Sequence, residues 1–248
     1  MKDTSHQPEN GYLTEKIRLQ YINYAVEKNL LPGSAYRMAN VASLVAEEDR
    51  TKPIQFWQLY SVLGRARIIS IVSRFYRRVF EDEAWFTSVF ERVATKERHV
   101  KTQSSMWIDV MGGGMQYHGG EFRLNFHHTH NALELMNDRG AARWIELMVE
   151  TLNDPDIDYT DDERVRPAIN TFLDFFVGKY AKEFDFEVTS VFGETNPPLK
   201  RRINFMNMSS DQVEALTKDE IIDELEARGV DVSEYSGKQA LVNKALSL

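Results

Sequence analysis

Three of the chain's six histidines fall close together, at His127, His128 and His130. Imidazole is the commonest side-chain ligand for a transition metal, so this stretch offers three chances to present one. Hydrogen-bond donors of other kinds lie elsewhere: the Tyr76 hydroxyl, the Gln103 carboxamide and the Trp144 indole, together with the His99 imidazole. Such donors stabilise a small, negatively polarised molecule held near a metal. His99 and Gln103 stand four apart, hence on one face of a helix, and Trp107 continues that face a turn later. Phe90, Trp107 and Leu133 are large enough to lie against a flat apolar ligand. Duller readings remain open. His127, His128 and His130 also suit a polar loop, or a zinc site with His118, although no Asp or Glu completes a local triad. Tyr76 also suits a core tyrosine with a satisfied hydroxyl, and His99 lies among Lys96, Glu97, Arg98 and Lys101, which favour solvent.

The elements that must position these residues read as helices. Of 248 residues only 13 are Gly and 7 Pro, which disfavours a turn-rich β fold, while 42% hydrophobic and 27% charged residues describe a globular chain. Ile68, Ile71, Val72, Phe75, Tyr76 and Val79 recur at three and four, the spacing of a helix burying a broad face. The spacing predicts a helix over about 95–110, stopped by Gly112, Gly113 and Gly114, with a glycine-bearing loop behind it. Another helix carries Trp144, Leu147, Met148 and Leu152 and ends near Pro155. A last one puts Val165, Ile169, Phe172, Phe176 and Tyr180 on one stripe, with Thr160 and Glu163 as its capping box and Pro167 requiring a later start or a kink. The fold class predicted is all-α. Arg65, Arg67, Arg74, Arg77 and Arg78 read as a solvated helix face.

Flanking material surrounds this block. A polar start is followed by a predicted helix over 14–29 and a second one, capped by Ser34, that carries Met38, Val41, Ala42 and Val45. The division expected is an N-terminal extension (1–55), a central domain (56–186), a linker (187–208) containing Lys200, Arg201 and Arg202, and a small helical module (209–248). In the module, Thr217 and Glu220 form a capping box and Gly229 closes the first of two helices. The absence of cysteine excludes disulfides, Cys-ligated zinc, iron–sulfur clusters and cysteine catalysis. A net charge of −8 argues against a grip on phosphate backbones. No apolar run approaches the ~20 residues of a membrane span. The start has no signal-peptide core, so an intracellular, soluble and by default cytoplasmic protein is expected.

The central block resembles the truncated haemoglobins. Leu59, Tyr60, Leu63 and Gly64, followed by Phe75, Tyr76, Val79 and Asp82, match the pattern of that family's opening helices. The resemblance points the tyrosine at 76 into a haem pocket. His99, Gln103 and Trp107 match the distal helix, and Gly112, Gly113 and Tyr117 match the following glycine-and-tyrosine segment. His130, Leu133 and Leu135, then Arg143, Trp144, Leu147 and Met148, match the segment with the iron-binding histidine and the pocket tryptophan. Fourteen positions separate His130 from Trp144, one more than the family spacing. Phe126, His127, His128 and Thr129 also depart from the family's approach, so His127 or His128 competes with His130 as iron ligand, His128 being the second choice. The tail over 216–246 resembles a SAP-type helix–extended–helix module. Over 209–248, four basic and nine acidic residues oppose the DNA binding common in that family and favour docking or packing.

The resemblance implies haem b held by His130, with Tyr76, His99, Gln103, Trp107, Trp144, Phe90 and Leu133 around it, and binding of dioxygen or another diatomic ligand. The family's range also includes sensing, nitric-oxide detoxification and peroxide chemistry. The alternative is a haem-free globin-fold subunit of a larger assembly, with a protein partner bound through the N-terminal extension or the C-terminal module.

Overall fold

The computed structural model describes residues 10–199 and 203–248, and all regular structure in them is helical. Residues 1–9 and the basic run at 200–202 lie outside the described residues. The chain divides into two compact units, Met1–Pro198 and Leu199–Leu248. No helix among the described residues is long and apolar enough to cross a membrane.

The first unit is built on α3 (Leu59–Phe80) and α5 (Lys96–Val110), which pack along one another. Around them lie α1 (Thr14–Glu27), the single turn α2 (Ala39–Ala42), α4 (Ala84–Val93), α6 (Gly120–Phe126), α7 (Asp138–Leu152) and α8 (Val165–Phe184). The stripe read from the sequence of α3 is the buried one: Ile68, Ile71, Val72, Phe75, Tyr76 and Val79 are each at most 5% exposed. Gly64 interrupts the helix at φ 67°, a conformation that costs a residue with a Cβ far more than glycine. The arginines on the outer face do more than meet water. Arg74 and Arg78 bond the Asp154 carboxylate at 3.0 and 3.2 Å, and Arg67 bonds Asp158 at 2.9 Å, which ties the α7–α8 connection to α3.

Two helices differ from expectation. The segment after Ser34 forms a 3-10 turn (Ala35–Arg37) and α2 instead of one helix, and Val45 is exposed. The carbonyls that a longer helix would use are taken by side chains: Trp57 Nε1 donates to Val41 and Gln58 Nε2 to Asn40 and Ser43. Thr160 does not cap α8. It sits at φ 84° in a turn, and the helix begins at Val165, which leaves Pro167 in the first turn where its missing N–H has no helical partner.

The N-terminal segment is built into this unit through one buried side chain. Asp109, fully buried at the end of α5, accepts hydrogen bonds from four main-chain N–H groups: Tyr12 (3.2 Å), Leu13 (2.7 Å), Gln116 (3.1 Å) and Tyr117 (3.0 Å). Its own carbonyl accepts from the Thr14 hydroxyl. A Cβ on Gly11 would lie 2.1 Å from Asp109 Oδ1, so this approach requires glycine. Farther along α1, Tyr21 meets Phe56, Trp57 and Phe175 edge-on at 5.0–5.8 Å. Beyond α8 the chain stays on the same unit. Phe192 is buried, and Asn196 accepts through neither of its nitrogens but donates both, N–H to the Thr171 hydroxyl and Nδ2 to the Ile54 carbonyl.

The second unit has its own core of Phe205, Val213, Ile221, Leu225, Leu241, Val242 and Ala245. Three helices surround it, one more than the pattern predicts: α9 (Ser210–Glu214), α10 (Lys218–Glu226) and α11 (Lys238–Leu246). The Thr217–Glu220 capping box is present, and a second one pairs Ser209 with Gln212.

Asp109→Ala would take the acceptor from four main-chain N–H groups, of which Leu13 and Tyr117 are buried, and is expected to cost about 3–5 kcal/mol. Asp109→Asn, which keeps one carbonyl acceptor, should cost less. Urea unfolding followed by helical circular dichroism measures both, and an unchanged midpoint for the alanine variant contradicts the assignment.

Candidate functional site

A cavity of about 150 Å³ lies inside the first unit, walled by α3, α4, α5, α6, α7 and α8. Most of its wall is apolar, with Met106, Trp107, Leu124, Leu173 and Phe176 among the contributors. Trp107 is held edge-on against Phe172, with ring centres 5.0 Å apart. Six of the eight residues singled out in the sequence line this cavity: Tyr76, Phe90, His99, Gln103, Trp107 and Trp144.

α3 delivers Tyr76 from its buried stripe. Burial pushes the phenol well above its usual pKa, so it stays protonated as a donor. α5 brings His99 alongside, with the two rings stacked at 5.2 Å and 21°. His99 Nε2 donates to the Phe90 carbonyl at 2.9 Å, and burial keeps its pKa below the usual histidine value. A neutral ring engaged in this way is a wall for Tyr76, with its Nε2–H spent on the main chain. The Tyr76 hydroxyl, Gln103 carboxamide and Trp144 indole make no hydrogen bond with any described residue and remain free to serve a ligand.

The histidine cluster is where structure and spacing part. The structure does not bring His130 or Leu133 to the cavity. His130 is exposed, its ring stacked on Phe126 at 4.1 Å and its Nδ1 2.8 Å from the Thr129 hydroxyl. Leu133 is 51% exposed. The cavity wall holds His127 and His128 instead. α6 ends at Phe126, and the chain widens over His127–Asn131 into a π turn closed by Ala132 N–H donating to the His127 carbonyl at 2.9 Å. Such a turn takes one residue more than an α-helical turn.

His128 has the geometry of a ligating imidazole. Its Nδ1 lies 2.8 Å from the Leu124 carbonyl one turn earlier, so Nδ1–H donates and the lone pair belongs to Nε2. Tyr180 of α8 stacks on the ring at 3.9 Å, and His127 meets it edge-on at 5.0 Å. Burial, then repulsion between neighbouring cations, lowers His128 to about 3 and His127 to about 4, which keeps both neutral near pH 7. The Tyr180 hydroxyl and Asn125 Oδ1 are buried without a hydrogen-bond partner. Among the described residues no group of three His, Asp or Glu side chains could hold a bare metal ion, which sets aside the zinc reading with His118.

Sequence reasoning placed His130 ahead of His127 and His128, and it overlooked Tyr180 as the neighbour of His128 and the Asp109 clasp. The available signal for His128 was Leu124 four residues before it on a helix ending in the cluster, a spacing that places a main-chain acceptor beside Nδ1.

α7 is aimed by an ion pair at its start. Arg143 Nε bonds Asp82 Oδ2 at 2.9 Å and Nη2 pairs with Oδ1, clasping α7 to the α3–α4 corner next to Trp144. At α7's first turn, a Cβ on Gly140 would lie 2.2 Å from the Leu135 carbonyl oxygen. The Arg143 hydrogen bonds hold the Asp82 carboxyl below the usual range. Arg143→Ala is expected to cost about 2–3 kcal/mol near neutral pH. That difference is full above the unfolded carboxyl pKa and shrinks as pH falls through the lowered folded value. Chemical denaturation of both forms at pH 7 and pH 3 checks this; equal stabilities at pH 7 refute it.

Residues 58–176 match the family model described as bacterial-like globin. Two-on-two hemoglobin-3 of Arabidopsis thaliana is 28% identical over 109 residues, 44% of this chain and 61% of the relative. Group 2 truncated hemoglobin 3-1 of Lotus japonicus is also 28% identical over 109 residues, 44% of this chain and 63% of the relative. The chain thus spans about three-fifths of the length of these relatives.

Proposed function

We propose that the chain, whose residues 58–176 match the bacterial-like globin family model, holds haem b in the α3–α8 cavity and binds dioxygen or another diatomic ligand there. The observation that carries this reading is His128, a neutral imidazole in the cavity wall whose Nδ1 is engaged by the Leu124 carbonyl and whose Nε2 is free. Haem iron supplies a reversible site for small diatomic molecules. His128 Nε2 is the axial ligand in this proposal, replacing His130, which faces outward, and Leu133 takes no part.

The remaining residues have separate tasks. Phe90, Met106, Trp107 and Phe176 exclude water and offer flat apolar contact to a macrocycle. Tyr76, Gln103 and Trp144 present unpaired donors that hold a polarised ligand. His99 fixes the Tyr76 ring by stacking while its own Nε2 stays on Phe90. The 127–136 connection, a π turn followed by a 3-10 turn at Leu133–Leu135, is the least regular wall. The module over 209–248, with four basic and nine acidic residues, fits a docking role better than nucleic-acid binding.

An absorption spectrum of the purified protein, with haemin added if needed, tests the reading. An intense haem band is expected; His128→Ala should abolish most of it and His130→Ala should retain it. The reverse pattern would return the ligand role to His130. Colourless, folded protein that refuses haemin would favour the haem-free assembly subunit. Tyr76→Phe, which deletes only the hydroxyl, is expected to raise the dioxygen off-rate about 10- to 150-fold, the equivalent of a hydrogen bond worth roughly 1.5–3 kcal/mol. An unchanged off-rate removes Tyr76 from the ligand-holding set.

A further inference from the structure

We infer that Tyr180 is a positioning residue for His128: its ring fixes the rotation of the imidazole and so aims Nε2 into the cavity. The inference deepens the haem reading above and rests on it for its consequence, although the restraint itself belongs to the protein alone. A histidine side chain has two torsions, and the second, about Cβ–Cγ, has a broad and shallow preference. The Leu124 carbonyl restrains that torsion through one hydrogen bond of 2.8 Å to Nδ1. A single hydrogen bond leaves the ring free to swing about the N–H···O axis.

Tyr180 removes that freedom. Its ring lies nearly parallel to the imidazole, 25° between planes and 3.9 Å between centres, so rotation about Cβ–Cγ drives an imidazole edge into the phenol face. His127 stands edge-on to His128 at 81° and supplies a further boundary. Tyr180 is itself firmly placed: it is 7% exposed, on the buried stripe of the 20-residue helix α8, with Phe176 and Phe184 at 6.1 and 6.3 Å. The aim of a residue on an irregular turn is therefore set by a residue on the longest regular element beside it. Orientation of an axial imidazole governs the strength of its bond to a metal, as outer partners of metal-bound histidines generally do.

The ring performs this task, so the conservative variant should rescue it. Tyr180→Phe keeps the stacking face; Tyr180→Leu and Tyr180→Met remove it while staying apolar. In haem-loaded full-length protein, Tyr180→Phe is expected to leave the iron–imidazole stretching band of the reduced form at its wild-type position. Tyr180→Leu should shift or split that band and speed haem loss roughly two- to tenfold, the span of a ring–ring contact. In the haem-free protein, long-range proton–nitrogen NMR of the His128 ring should show one ordered Nδ1–H form in wild type and Tyr180→Phe. An averaged ring is expected in Tyr180→Leu, or in Tyr180→Met should the leucine variant fail to fold. A wild-type stretch and an ordered ring in both apolar variants would overturn the inference. If wild type takes up no haem, the haem reading fails, and the NMR comparison still decides the positioning claim.

Discussion

Four main-chain N–H groups converge on the Asp109 carboxylate, and the arrangement of the first unit depends on it. Two donors come from the approach to α1 and two from the loop between α5 and α6. One buried side chain thus closes the N-terminal segment and the glycine-bearing loop onto the same helix end. Without it, the buried N–H groups of Leu13 and Tyr117 would lose their acceptor, and the part-buried ones of Tyr12 and Gln116 would turn to water. Because α5 also carries His99, Gln103 and Trp107, the clasp anchors the C-terminal end of the helix that supplies one wall of the cavity.

Much of the fold was legible in the sequence because helical burial leaves a period. The stripe of α3, the stop after Val110, and the Thr217–Glu220 box are each local signals with a local cause. The failures are tertiary. The carbonyls of the segment before Ser43 go to Trp57 and Gln58, residues whose relation to it no window of the sequence reveals. Thr160 and Glu163 have the spacing of a capping box, yet the turn at Thr160 places them before the helix begins. Asp109 reads as an ordinary helix-end acid until the chain 96 residues earlier is folded against it.

The candidate site divides along the same line. His99, Gln103 and Trp107 share a face of α5 that spacing alone predicts, whereas the side shared with Tyr76 and Trp144, on other helices, comes from the resemblance. The histidines sit where helical geometry gives way to a π turn, and there a shift of one residue turns a side chain from the interior to the surface. His128 faces in and His130 faces out for that reason. Counting positions to Trp144 detects that a residue has been added but not where its effect on direction begins.

The segment that matches the globin family, residues 58–176, begins inside the 3-10 turn at Phe56–Gln58 and ends eight residues short of the end of α8. The physical unit is larger at both ends. Tyr21 stands within the aromatic cluster of Phe56, Trp57 and Phe175, while Phe192 is buried and Asn196 bonds the Thr171 hydroxyl and the Ile54 carbonyl. The matched segment is therefore smaller than the unit that folds. Cut at the limits of the match, it would expose aromatic faces that the chain covers with its own flanks.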